Sequence, residues 1–262
     1  RRRHTRFRNV TGVQTCALPI FCMTTTPERL RSDFIFRVLD SIFHQDIECA
    51  FKVALFVPWH SARNREPYPD LEFLRARYSN EQLVIHRCED MGPATKFAGF
   101  LTYLPQVERN VTHIYIADDD IVLREHALRT LQQKLQAAAS LDDPGNLVLA
   151  NEVRWIGSLP VVAGFAGILI PKAFVERLVG DSALSQLWRE LSTGNHVCFN
   201  VDDVLLSKLL RRFGFRVMWT GLNPFVDVMD RNQTDEHPAW FELCKHTSRD
   251  TDNLRCLEFP LP

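Results

Sequence analysis

Apolar residues recur along this chain in two rhythms, and the alternation between them lays out an architecture. Short runs dense in β-branched and aromatic residues, at 21–25, 51–57, 83–86, 113–117, 147–150, 161–170 and 215–219, predict strands. Between them the apolar positions fall at helical spacing. Leu30, Phe34, Ile35, Val38, Leu39, Ile42 and Phe43 mark one face of a helix over 28–45, and Val204, Leu205, Leu209 and Leu210 mark another over 201–213. The same spacing predicts helices at 71–78, 95–103, 125–139, 174–179 and 183–191. The longest apolar run, 161–170, is bounded by Pro160 and Pro171 and reads as one buried strand, although it contains Gly164 and Gly167. From Asn223 onward the pattern is polar and irregular. Strand and helix in alternation, with no linker or repeat, predict a single α/β domain whose central sheet is mostly parallel and covered by helices on both faces. In such sheets ligands bind beyond the carboxyl ends of the strands.

The amino end changes the electrostatic picture. Residues 10–20, VTGVQTCALPI, match one reading frame of a widely used sequencing adapter, so residues 1–20 read as non-native and the domain as residues 21–262. Without the five arginines of that segment, 31 basic residues fall to 26 against 32 acidic ones, and the formal charge moves from −1 to −6. A mildly acidic chain with no basic block is a poor partner for nucleic acid. No run reaches the roughly 20 apolar residues of a membrane helix. A cytoplasmic location is expected, with peripheral membrane association, and a signal or anchor ahead of residue 21, left open. The cysteines other than Cys16 show no zinc-site spacing. Most read as reduced thiols, with a Cys244–Cys256 bond in the tail as the alternative. The sequons at Asn110 and Asn232 are too common a pattern to imply secretion.

Chemistry concentrates at five places. Asp118, Asp119 and Asp120 directly follow the strand at 113–117. Three adjacent carboxylates repel one another unless a cation relieves them, and a hard divalent ion does so while keeping positions free for phosphates. Gly92-Pro93-Ala94-Thr95-Lys96 looks like a phosphate-holding turn into a helix start, with Asp90 just ahead of it to hold a base or ribose. Asn200-Val201-Asp202-Asp203 opens the amphipathic helix at 201–213. Asn200 as N-cap with Asp203 at the third helical position explains these acids by capping alone, while a general base for an acceptor hydroxyl explains them by function. Gly164 and Gly167 mark a close approach of ligand or backbone inside an apolar run. In the polar tail His237 or His246 could complete a metal shell, with a structural or exposed histidine as the alternative.

This ordered set resembles the GT-A glycosyltransferases, with its closest likeness to bacterial and algal family-2-like enzymes. It comprises Thr24-Thr25-Thr26-Pro27 with Arg29, the Gly92–Lys96 turn, Asp118–Asp120, the paired glycines and Asp202-Asp203. The resemblance implies a Rossmann-like nucleotide-diphospho-sugar transferase fold and a metal-dependent transfer from a nucleotide-diphosphate sugar to a saccharide, lipid or protein hydroxyl. It implies that Thr26 and Arg29 lie near the base and diphosphate, and that Asp90 and Lys96 border the nucleoside and phosphates. Asp118 would face the ribose, and Asp120 would bind Mn2+ or Mg2+. Gly164 to Gly167 would line the donor-sugar side. Asp203 would stand at the position of the inverting members' catalytic base, although Asp-Asp replaces their Glu-Asp and leaves Asp202 as the alternative. The family's C-terminal metal-binding histidine is matched only loosely, by His246 or His237. A metal-dependent phosphohydrolase or nucleotidyltransferase, or a non-catalytic nucleotide-sugar-binding protein, also accommodates the aspartate cluster.

Overall fold

Seven strands form the central sheet: β1 (Leu18–Thr24), β2 (Lys52–Pro58), β3 (Leu83–Cys88), β4 (Val111–Ile116), β6 (Leu147–Ala150), β9 (Ile168–Pro171) and β10 (Arg216–Trp219). The computed structural model describes residues 18–47, 51–63, 65–107, 109, 111–138, 144–228 and 248–262. The sheet order is β10-β6-β9-β4-β1-β2-β3. All neighbouring pairs run parallel except those of β9, which is antiparallel to both β4 and β6. The mostly parallel sheet expected from the alternating pattern is therefore present.

Helices cover both faces because the strand side chains alternate between two apolar cores. On one face Cys22, Phe56, Ile114, Ile116, Val148 and Ile168 are buried. They pack with α4 (Thr95–Ala98), α5 (Phe100–Tyr103), α7 (Lys172–Gly180), α8 (Ser185–Ser192) and α9 (Asp202–Arg212). On the other face Phe21, Met23, Leu55, Tyr115, Leu149 and Leu169 pack with α1 (Pro27–Leu30), α2 (Phe34–Phe43), α3 (Glu72–Arg77) and α6 (Ala127–Ala138). The helical stripe read at 28–45 is real but broken. Arg31 to Asp33 separate α1 from α2, and Leu30 still joins the core.

Several sequence expectations are corrected. The 161–170 run is not one strand. β7 (Val153–Ile156) and β8 (Leu159–Val162) form a hairpin, a 3-10 turn follows at Gly164–Ala166, and β9 begins after Gly167. Gly167 takes φ +88°, which ends the run's extended geometry, and a Cβ there would lie 1.9 Å from the Tyr115 hydroxyl. Strand β1 starts at Leu18 rather than Phe21, pairing with β4 from its first residue and burying Ile20. Residues 1–17 lie outside the described residues. The chain after Asn223 is not wholly irregular. β11 (Phe225–Val228) pairs antiparallel with β5 (Ile121–Leu123), and α10 (Ser248–Glu258) packs on α9. Periodicity missed α10 because few of its residues are apolar. Its anchor is a disulfide: Cys256 bonds Cys198, not Cys244. Cys244 and Cys49 lie outside the described residues, and Cys22 and Cys88 are buried free thiols. No helix among the described residues is long and apolar enough to cross a membrane.

The Tyr115 hydroxyl is buried with no hydrogen-bond partner among the described residues, hard against Gly167. Gly167→Ala should therefore cost about 2–4 kcal/mol, combining left-handed backbone strain with overpacking. Adding Tyr115→Phe should restore part of that loss in urea denaturation. Equal stabilities for wild type and Gly167→Ala would refute this packing.

Candidate active site

Four connections meet at one end of the sheet. β1 and β4 deliver their following turns there because they are parallel, and β3 delivers residues 89–96 to the same end. Because β9 runs the other way, the turn that precedes it, Gly164–Gly167, arrives at that end as well. The start of α9 completes the group.

Asp118, Asp119 and Asp120 form the turn between β4 and β5. Lys96 on α4 is only 2% exposed and joins this turn to α9. Its Nζ donates to Asp118 Oδ1 at 2.6 Å and lies 2.7 Å from Asp202 Oδ2. Burial alone would lower its pKa, but Asp118, Asp202 and Asp203 together raise it, so Lys96 is held charged. Arg29 on α1 supplies the second cation. Its guanidinium donates to Asp119 Oδ1 and, at 3.0 Å, to Asp120 Oδ2. Asp119 is 3% exposed; burial pushes its carboxyl up, against the pull of Arg29 and a hydrogen bond from Thr25.

Asp203 Oδ1 accepts the Gly164 N–H at 2.7 Å. Burial first, and then the neighbouring Asp202, push its pKa up to about 7, with Lys96 and the Gly164 N–H opposing. Gly164 is required at this point. A Cβ there would lie 2.7 Å from Lys96 Nζ and 2.9 Å from Asp203 Oδ1. The close approach expected of the glycine is thus to the protein's own cation and acid.

The capping explanation of the acid pair fails in its details. The N-cap is Val201, with no side-chain cap bond, so Asp202 and Asp203 are the first two residues of α9. Asn200 instead accepts from Arg63 Nη2 at 3.3 Å. Both acids still lie in the first turn, where the helix dipole favours them.

The remaining expected residues divide. Thr26 caps α1, its Oγ1 accepting the Arg29 N–H at 3.4 Å, and thereby helps place Arg29. Asp90 is engaged by the protein itself: it accepts from Ala62 N at 2.7 Å and Gly92 N at 2.8 Å, tying the 59–62 loop to the Gly92 turn. Gly167 faces Tyr115 and the sheet. His246 and His237 lie outside the described residues. Tyr68 and Arg63 went unremarked in the sequence, and Thr25 was noted only as part of the Thr24–Pro27 run. Tyr68 donates to Thr25 O at 2.8 Å and steadies the turn carrying Arg29. No local signal marks Tyr68 or Arg63, since their importance depends on loops meeting in space. Asp46, Glu125 and His126 also bring ligand atoms within 4.8 Å of one another, but all three are exposed and Arg129 is paired with Asp46.

No family model and no curated protein matches this sequence. Solved structures do. The mannosyltransferase PcManGT from Pyrobaculum calidifontis, in complex with GDP-Man and Mn2+, is similar over 94% of this chain at 15% identity and a TM-score of 0.56. The chain spans 66% of that enzyme's length. The galactosyltransferase LgtC, in complex with donor and acceptor sugar analogs, is similar at 11% identity over 72% of this chain and 70% of its own, with a TM-score of 0.44. Mouse xyloside xylosyltransferase 1 is similar at 11% identity over 77% of this chain and 84% of its own, with a TM-score of 0.40. The fold is that of the GT-A nucleotide-diphospho-sugar transferases, with a seven-stranded, mostly parallel sheet.

Replacing Lys96 by Met leaves buried carboxylates without their cation, and Lys96→Met should destabilise by about 3 kcal/mol, read from chemical denaturation at pH 7.5. A change below about 0.5 kcal/mol would mean that the ion pairs carry no weight. Asp203 gives a pH signature. Below about pH 4 it is protonated both folded and unfolded, so it contributes nothing to the pH dependence of stability. As pH rises towards 7 the unfolded chain releases the proton first, stability falls, and the loss is complete above the folded pKa. Asp203→Asn should therefore gain roughly 1–3 kcal/mol over wild type between pH 4 and 8. A pH-independent difference would contradict the raised pKa.

Proposed function

We propose that this protein is a metal-dependent glycosyltransferase that moves a sugar from a nucleotide-diphosphate donor to an acceptor hydroxyl. The observation that carries this reading is the meeting of the Asp118–Asp120 turn with the Asp202–Asp203 pair across buried Lys96, at the carboxyl end of a GT-A sheet.

The cluster suits a hard divalent ion. Asp118, Asp119, Asp120, Asp202 and Asp203 gather around Lys96 and Arg29, and Asp119 Oδ2 is buried with no hydrogen-bond partner among the described residues. The donor set is all oxygen, as Mn2+ and Mg2+ prefer. Asp118 and Asp120, the more exposed outer pair of the turn, would hold the ion. Bound there, it would supply charge stabilisation for a diphosphate leaving group.

The chain's own residues do the rest. Lys96 and Arg29 sit where donor phosphate oxygens meet the carboxylates, and both are charged at any working pH. Thr26 and Asp90 hold the two turns that border the nucleoside. Gly164 keeps the sugar side open by carrying no side chain between Lys96 and Asp203. Asp203 is the proton acceptor for the attacking hydroxyl. It is half-buried, and its pKa of about 7 suits a base working near neutrality. Asp202 is committed to Lys96 and sets the field around Asp203.

A thermal-shift panel of nucleotide diphosphates and nucleotide sugars, with and without Mn2+, tests the donor site. One nucleotide series should stabilise the protein only when metal is present, and Asp120→Ala should abolish that shift. Asp203→Asn should keep the shift but lose transfer by about 100-fold or more. Hydrolysis of simple phosphate esters without a sugar acceptor, or no shift with any nucleotide, would defeat the proposal.

A further inference from the structure

Backbone turn bonds from Phe199 N–H to His196 O and from Val201 N–H to Cys198 O shape the 194–201 loop, but no side chain of the loop caps α9. Val201 makes no side-chain cap, and Asn200 points to Arg63 rather than back to the helix. Yet the loop must place Asp203 within hydrogen-bonding distance of Gly164 N and Asp202 beside Lys96. Its supports come from two sides. On one side it leans on the Gly92 turn, so closely that a Cβ at Gly92 would lie 2.4 Å from Phe199 O. On the other it is bonded to α10 through Cys198 and Cys256, which are 58 residues apart in sequence and both fully buried.

The attachment to α10 is reinforced around that bond. Lys208, on the next turns of α9, donates from Nζ to Cys256 O at 2.7 Å and Leu257 O at 3.1 Å, and also to Phe259 O. These bonds occupy carbonyls at the end of α10, where a helix leaves them unsatisfied. The His196 ring sits edge-on to Phe259 at 4.5 Å between centroids, and its Nδ1 accepts the Cys198 N–H at 3.0 Å. The acid-bearing helix start is thus clamped between the Gly92 turn and a terminal helix whose covalent tie lies four residues before Asp202. The carboxylate turn of β4 and Arg29 are held by other elements, and Lys96, which meets Asp202 at the start of α9, is also bonded to Asp118 on that turn.

We propose that the Cys198–Cys256 bond is a positioning device: it holds the start of α9 so that Asp203 meets Gly164, and sugar transfer depends on the oxidised link while donor binding does not. The catalytic part of this inference rests on the glycosyltransferase reading above.

The test compares wild type with the Cys198→Ala/Cys256→Ala double variant, well below both melting temperatures. It measures donor affinity with Mn2+, kcat and KM for transfer, and amide hydrogen exchange. In the variant kcat should fall by about tenfold or more, as small misplacements of a reacting group do. Donor affinity should stay within about twofold of wild type, a change of under 1 kcal/mol. Amide exchange at 199–205 should rise by about tenfold or more while 117–121 stays unchanged. If the variant does not fold, wild type reduced with a phosphine and then reoxidised replaces it, and reoxidation should restore both kcat and protection. Unchanged exchange at 199–205 overturns the proposal, as does an unchanged kcat, or a parallel loss of donor affinity and kcat. If oxidised wild type transfers sugar to no acceptor, the glycosyltransferase reading fails, while the exchange measurement still decides whether the bond holds the loop.

Discussion

Charge balance at the carboxyl end of the sheet is the constraint around which the rest of this molecule is arranged. Asp118, Asp119, Asp120, Asp202 and Asp203 converge on Lys96 and Arg29, whose charges offset the cost of desolvating so many carboxylates. Lys96 matters most because it touches both acid groups from a fully buried position. Burying a lysine is costly unless it is paired, so α4 is bound to β4 and to α9 by the same interaction. The two cations are therefore structural and electrostatic at once, making the acid cluster compatible with a folded protein.

The reversed strand β9 explains how so many segments reach one place. In an all-parallel sheet the turn entering a strand lies at the opposite end from the turns that leave its neighbours. Reversal of β9 brings Gly164–Gly167 beside the Asp118–Asp120 turn instead. The two glycines then serve different needs. Gly164 lets a lysine and an aspartate approach across its missing side chain, while Gly167 lets the chain bend over Tyr115. One belongs to the site and the other to the packing beneath it.

Much of this was legible in the sequence. The helical stripe of α9 and the strand leading into Asp118 carry strong periodic signals because their burial is one-sided or complete. From these the α/β class and the site's place at the strand ends follow directly. What escaped did so for physical reasons. The 161–170 run looked continuous because apolar density is blind to backbone conformation, and only the left-handed φ of Gly167 reveals the break. Terminal helix α10 escaped because it is held by Cys256 and by bonds to Lys208 rather than by an apolar stripe. The disulfide was missed because most cysteines read as reduced thiols and the alternative pairing stayed within the tail, whereas α10 packs against α9 and brings Cys256 to Cys198. In the site, the three aspartates and Lys96 stand out by residue type. That Arg29 pairs with them is a fact about chain crossings that no local pattern encodes.

The same tie has a consequence for how the protein is made. Cys198 leaves the ribosome 58 residues before its partner, which at ordinary elongation rates is a wait of about 3–12 s. During that interval β1 to β9 are already available to pair, and the aspartate turn can find Arg29 and Lys96. The start of α9 gains its covalent anchor only once α10 emerges. The carboxylate turn after β4 can therefore form during synthesis before the start of α9, which carries Asp203, is tied down by α10.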